Sequence, residues 1–286
     1  MAAYKHHAIR ESLALAHNRL AHDRLGGAYD GNHPEIFNDV EQLRLADAVA
    51  RAIAAVAGNV SSSGVRALDV GCGTGNLSRH LLDAGAEVTG ADLSSTLLSE
   101  ASRRFAPAGR FEAMQLNGRD LRPLPDRSFD VVAVYSVLHH IPDYLAMVRE
   151  MVRVTRPGGI VVIDHERTDE SWRSESYREF LRDAVVWPER RWWYWLQPSR
   201  YWKRVKPLLV WRRWFNQRWM PEGDLHIWPD DHIEWARINH ALAEGGCRTV
   251  IDEPYLLFEP RYRRAAWEAW RTRTADMRLL VVRQGA

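Results

Sequence analysis

Cysteine is nearly absent from this chain of 286 residues. Cys72 and Cys247 are the only two, far apart and in no metal-ligand spacing. A disulfide framework is thereby excluded, a zinc site is disfavoured, and a reducing compartment fits. Long apolar runs are also missing: no stretch approaches the roughly 20 apolar residues that cross a bilayer. Met1-Ala2-Ala3-Tyr4-Lys5-His6-His7 lacks the apolar core of a secretion signal. A cytoplasmic protein is expected. There is no internal repeat and no low-complexity tract. The apolar share of 46% and charged share of 27% exclude disordered and fibrous classes.

Net charge is small, +2, but unevenly placed. Residues 187–219 carry nine Arg and Lys against the single acid Glu189, and eight of the thirteen tryptophans. That segment holds +8 and the remainder −6. Interleaved Trp and Arg suit a membrane interface with anionic lipid, an acidic acceptor held by Arg pairs, or a lid whose indoles pack inward while the cations face water. Stacking on nucleic acid fits less well.

Order along the chain comes from periodicity. Ile36, Val40, Leu43, Ala46, Val49, Ile53 and Val56 recur at steps of three and four and predict an amphipathic helix over 35–57. From residue 66 the pattern changes to short β-branched runs alternating with helices. Strands are expected at 66–70, 87–91, 111–116, 131–135 and 160–163, and closing strands at 248–251 and 278–282. Helices are expected at 76–84, from Ser94 as N-cap, at 143–154 before Arg156-Pro157-Gly158-Gly159, and from near Asp230 to Gly245-Gly246. Such alternation implies parallel pairing through right-handed crossovers.

The sharpest motif is Leu68-Asp69-Val70-Gly71-Cys72-Gly73-Thr74-Gly75-Asn76-Leu77, where a strand gives way to a helix. Its glycines permit a tight turn and close approach of a ligand to the backbone, and the helix N-terminus favours an anionic group. Asp92 follows Gly71 by 21 residues at the end of the second strand, where an acid can accept hydrogen bonds from two ribose hydroxyls. Alone it would read as a helix cap. A nicotinamide fingerprint needs a third glycine where Asn76 stands, and no Gly-Lys-Ser/Thr follows for a P-loop.

With Pro125-Asp126-Arg127-Ser128-Phe129-Asp130-Val131-Val132, Val137-Leu138-His139-His140-Ile141-Pro142-Asp143 and Arg156-Pro157-Gly158-Gly159 in the same order, residues 66–163 resemble the core of the class I S-adenosylmethionine-dependent methyltransferases. The resemblance implies an α/β fold: a doubly wound, mostly parallel seven-stranded Rossmann-like sheet with a helical N-terminal extension and a cap insertion. The expected segments are 1–60 (extension), 61–163 (cofactor-binding core), 164–229 (Trp/Arg-rich cap) and 230–286 (completion of the core). It also implies S-adenosyl-L-methionine as cofactor, released as S-adenosyl-L-homocysteine. Asp69, Gly71, Cys72, Gly73 and Gly75 would meet its methionine part, Asp92 the ribose, and Leu93, Asn117, Gly118 and Tyr135 the rest. Asp120 is an alternative to Asn117 at the adenine.

Methyl transfer is an in-line displacement in which positioning supplies much of the rate. An oxygen acceptor also needs a base, a role His fills near neutral pH. His140, after the fourth strand, and His165, in Asp164-His165-Glu166 after the fifth, are the candidates, against the plainer reading of each as a buried imidazole. His226-Ile227-Trp228-Pro229-Asp230-Asp231-His232 reads as helix capping rather than a metal site, and no metal is expected. Tyr29-Asp30 either covers the cofactor or merely packs. The expected activity is methylation, at oxygen, of a small molecule or lipid-linked metabolite, with membrane contact through 187–219 left open. The alternatives are a non-catalytic S-adenosylmethionine-binding scaffold and, more remotely, an NAD-dependent oxidoreductase.

Overall fold

Alternation along the strands decides how this chain layers. In Ala67-Leu68-Asp69-Val70, Leu68 and Val70 turn to one face and Ala67 to the other. In Val131-Val132-Ala133-Val134 the same split recurs. Both faces are thus apolar, as a sheet covered by helices on two sides requires. A computed structural model describes residues 15–23, 29–57, 64–186 and 233–285.

The seven strands are β1 (Arg66–Val70), β2 (Glu87–Asp92), β3 (Phe111–Gln115), β4 (Phe129–Tyr135), β5 (Thr155–Arg167), β6 (Cys247–Tyr255) and β7 (Met277–Gln284). They form one sheet in the order β3-β2-β1-β4-β5-β7-β6. The first five pair in parallel, and β7 lies antiparallel between β5 and β6. The helices are α1 (residues 15–23), α2 (Tyr29–Asn32), α3 (Asp39–Ala57), α4 (Asn76–Asp83), α5 (Ser95–Phe105), α6 (Tyr144–Val154), α7 (Asp169–Arg173), α8 (Glu175–Ala184), α9 (Trp235–Glu244) and α10 (Arg264–Trp270). The doubly wound seven-stranded sheet read from the sequence is the observed fold.

One core joins Leu68, Val132, Val134 and Ile163 to Met147 and Met151 of α6 and Ile238 of α9. The other joins Ala67, Val131 and Val162 to Leu45 and Val49 of α3 and Leu81 of α4. Full burial of each such aliphatic side chain stabilises by about 1.5–3 kcal/mol. A satellite cluster around Phe180, Tyr262 and Trp267 ties α8 to α10; its aromatic and charged sequence carries no clean period, and neither helix was expected.

Several boundaries differ from the periodicity. The helix expected over 35–57 starts at Asp39, because the Asn38 side chain accepts the Glu41 amide at 3.1 Å and caps it there. Ser94 does cap α5, accepting from the Leu97 amide, and Asp143 caps α6 through the Ala146 amide. β5 extends from Thr155 to Arg167, well beyond 160–163, with an irregularity against β7 between Ile163 and Glu166. Its final residues are polar, so hydrophobic pattern could not show them as strand. The Trp/Arg-rich segment 187–219, Asp230 and the His226–His232 stretch lie outside the described residues.

Candidate functional site

Register brings the chemistry to one edge. Val70 pairs with Ala91 on one side and Val134 on the other, and Tyr135 pairs with Asp164. The turns after β1, β2, β4 and β5 therefore emerge together, at the carboxyl edge where open parallel sheets bind ligands.

The turn after β1 is fixed from both ends. The amides of Gly71 and Cys72 both donate to Ala91 O, at 2.7 and 3.1 Å. The Gly73 amide donates to Asp92 Oδ2 at 2.9 Å, and the Ser94 amide to Asp92 Oδ1 at 2.7 Å. Burial pushes the Asp92 carboxyl above its usual range, against those backbone donors. Gly71 has φ of +73°, and a Cβ there would come within 2.6 Å of Val137 Cγ2. Both requirements make glycine obligatory at this position.

A cavity of about 110 Å³ opens above these turns. Gly71, Gly73, Asp92, Leu93, Gly118, Tyr135 and His140 all line it. Leu97, Leu116 and Met147 supply an apolar wall. A smaller cavity of about 30 Å³ shares Gly71, Gly73 and Tyr135 and adds Asp69 and Cys72. Burial raises the Asp69 carboxyl to about 7, while its Oδ2 accepts from Ser78 Oγ at 2.6 Å. Burial likewise pushes the Cys72 thiol well up.

Three sequence candidates sit elsewhere. Gly75, with φ of +94°, is the N-cap of α4, and the ring of Phe105 fills the place its Cβ would take. Asn117 closes a local turn, accepting the Arg119 and Asp120 amides at 2.7 and 3.1 Å and donating to Asp120 Oδ1. Neither lines either cavity; Gly118 does. His165 is also off the cavity walls. Only 4% exposed, it stacks on Tyr135 with ring centroids 4.6 Å apart. Its Nδ1 lies 3.3 Å from the Tyr255 hydroxyl and 3.4 Å from Glu41 Oε1. Its surroundings are those of a buried imidazole away from both cavity walls.

The N-terminal segment supplies further residues, of which only Asp30 stood out in the sequence. Leu15, Asn18 and His22 of α1 line the cavity, and the His22 ring meets His140 edge-on at 6.1 Å. Asp23 accepts from Ser94 Oγ at 2.5 Å, and Asp30 accepts from Thr74 Oγ1 at 2.6 Å and Arg104 at 2.8 Å. These acids tie α1 and α2 to the two binding turns. A lone His on a short segment without clear period gives no signal, so His22 could not have been found from sequence.

Residues 68–163 match the family model described as a methyltransferase domain. Over this third of its length the chain is similar to methyltransferase domains. Among curated proteins, demethylmenaquinone methyltransferase from Bacillus licheniformis is 41% identical over 102 residues, 35% of this chain and 44% of that protein. The chain therefore spans less than half the length of such relatives in the aligned part. Two solved structures share the methyltransferase fold over most of its length. One belongs to the complex of the Haloferax volcanii Trm112 methyltransferase activator with a methyltransferase, with a TM-score of 0.56, 16% identity and coverage of 93% and 98% of the two chains. The other, a methyltransferase from Methanosarcina mazei, gives a TM-score of 0.51, 18% identity and coverage of 80% and 97%.

The site fits S-adenosylmethionine, the cofactor that the likeness to methyltransferases implies. Gly73 lines the cavity with φ of +54°, and a Cβ there would stand in open space, so the glycine keeps backbone accessible to a ligand. Asp92 offers a buried carboxylate for vicinal hydroxyls beside an apolar wall suited to a flat base.

Proposed function

We propose that this chain transfers a methyl group from S-adenosylmethionine to a small-molecule acceptor. The carrying observation is that Gly71, Gly73, Asp92 and His140 line one cavity at the carboxyl edge of the sheet. Asp92 would hold the ribose hydroxyls, the glycine turn the methionine part, and Leu93, Leu97 and Leu116 the adenine. Asp69 and Cys72, lining the adjoining cavity, would meet the methionine end. Bound there, the cofactor supplies an electrophilic methyl group. The protein's own task is then orientation of the acceptor and exclusion of water.

His140 is the imidazole of the two candidates that reaches the cavity, and it would take the proton from an oxygen acceptor. His165 is assigned to holding Tyr135. The name carried by the curated relatives supports a small organic acceptor, and the tryptophans and arginines of 187–219 favour one with an apolar, lipid-linked or anionic part.

The test uses S-adenosylmethionine labelled in its methyl group, incubated with the protein and a cell extract of its source, then partitioned between organic solvent and water. Label in the organic phase, absent with Asp92→Ala, supports an apolar acceptor; aqueous label supports a polar one. Cofactor binding with no labelled product in either phase would favour the scaffold alternative.

A further inference from the structure

Glu166 is the last charge one would expect where it lies. Its side chain is wholly buried, one residue past His165 with its φ of +61°, and the β5–β7 register breaks between Ile163 and Glu166. A register break of this kind re-aims a side chain. Here the carboxylate reaches back to the turn after β4. Oε1 accepts the Val137 amide at 2.8 Å and the Leu138 amide at 2.7 Å, and Oε2 meets His139 Nδ1 at 2.9 Å.

The two successive amides point the same way because Ser136, just before them, has φ of +59°. Consecutive N–H groups following a left-handed residue form a concave anion-binding nest. With Oε1 claimed by both amides and a carboxylate offering only acceptors, the proton of the third bond belongs to His139 Nδ1. His139 then packs against the ring of His140 at 4.1 Å. The turn held in this way carries Ser136, Val137 and His140, all on the cavity wall, and presses Val137 against Gly71.

We propose that Glu166 is the positioning residue of this site: it clamps the turn after β4 and sets the tautomer of His139, and so fixes where His140 stands. The consequence for ligand binding rests on the methyltransferase reading above; the consequence for His139 does not. Glu166 touches neither cavity and is not itself a catalytic residue.

The experiment compares the full chain with Glu166→Gln and Glu166→Ala, each labelled with ¹⁵N-histidine. The ring nitrogens of His139 are read by NMR in ligand-free protein, and S-adenosylhomocysteine binding is read by titration calorimetry. In the parent protein Nδ1 carries the proton. In Glu166→Gln the amide oxygen keeps the two backbone donors, its NH₂ now faces Nδ1, and the proton moves to Nε2. S-adenosylhomocysteine should bind about tenfold to a hundredfold more weakly in Glu166→Ala, with Glu166→Gln recovering most of the loss. An unchanged His139 tautomer in Glu166→Gln, or parent-like binding by Glu166→Ala, would overturn the proposal. If the parent protein itself ignores S-adenosylhomocysteine, the functional reading fails, while the tautomer still decides the role of Glu166.

Discussion

His140 and His165 follow neighbouring strands of one sheet and end in opposite settings. His140 stands in a cavity walled by glycines, leucines and one buried acid, Asp92. His165 is enclosed on the α3 side of β4 and β5, where charges neutralise one another. There Arg44 donates to Glu41 at 2.6 Å and to Asp164 at 2.8 Å, its guanidinium lies 4.0 Å from the Tyr255 ring centre, and Tyr135 donates to Glu41 at 2.9 Å. On the cavity side burial dominates, and Asp69 and Asp92 are both pushed up. On the network side burial also opposes ionisation of Glu41, but the hydrogen bonds from His165 and Arg44 outweigh it and hold the carboxyl down to about 2. Asp92 is partnered by backbone amides and lines the cavity, whereas Glu41, bonded to Arg44, belongs to the frame.

The largest expected effect breaks the network. Arg44→Met leaves Glu41 and Asp164 buried without their cation, and should cost about 3–5 kcal/mol of stability, read from the urea midpoint. A loss below about 1 kcal/mol would mean that the network is not the frame described.

Asp92→Ala acts on the other side. Removing a charged acceptor should weaken S-adenosylhomocysteine binding by about 1.5–3 kcal/mol, seen by calorimetry, with the urea midpoint changed far less than in Arg44→Met. Equal losses of binding and stability would erase the distinction between the two regions.

The two regions should also answer pH with opposite sign. Asp69 rises from 3.8 to about 7 on folding, so its contribution is full below about pH 4 and is lost as pH climbs through about 7. Glu41 falls from 4.5 to about 2, so its contribution is full above about pH 4.5 and is lost as pH drops through about 2. Asp69→Asn should therefore remove a decline in stability between pH 4 and 7 that approaches about 1.4 kcal/mol per pH unit. Urea midpoints at stepped pH would measure it, and an unaltered slope would contradict the assignment.

The smallest effect comes from the same helix as the largest. Arg51 of α3 bonds both oxygens of Glu253 at 2.7 and 2.6 Å, yet 38% of its side chain is exposed. Arg51→Ala should shift stability by no more than about 0.5 kcal/mol. Set beside Arg44→Met, it separates the effect of burial from that of pairing.

The sequence made legible what repeats or contrasts locally. β1 was readable to the residue, and the cap Ser94 was readable, because alternation and capping are local rules. The glycine turn and Asp92 were readable because each sits at the junction of two such patterns. Glu166, His22 and the Glu41–Arg44–Asp164 network were not. Their meaning lies in partners far along the chain, and a polar residue at a strand end looks the same whether it meets a ligand, a turn or water. His165 shows this most directly: the edge it occupies was apparent, while the face it turned to depended on Glu41 and Tyr255.

The placing of β7 has a consequence for how the molecule is made. It follows every other strand in chain order, yet it lies inside the sheet between β5 and β6. As the polypeptide leaves the ribosome, the whole parallel half can assemble while one side of β5 still shows unpaired amides and carbonyls. That open edge invites pairing with another nascent chain until residues 277–284 arrive. Chaperone demand should then concentrate in the interval between completion of β5 and arrival of β7, and a ribosome stalled there would hold the species most prone to aggregate.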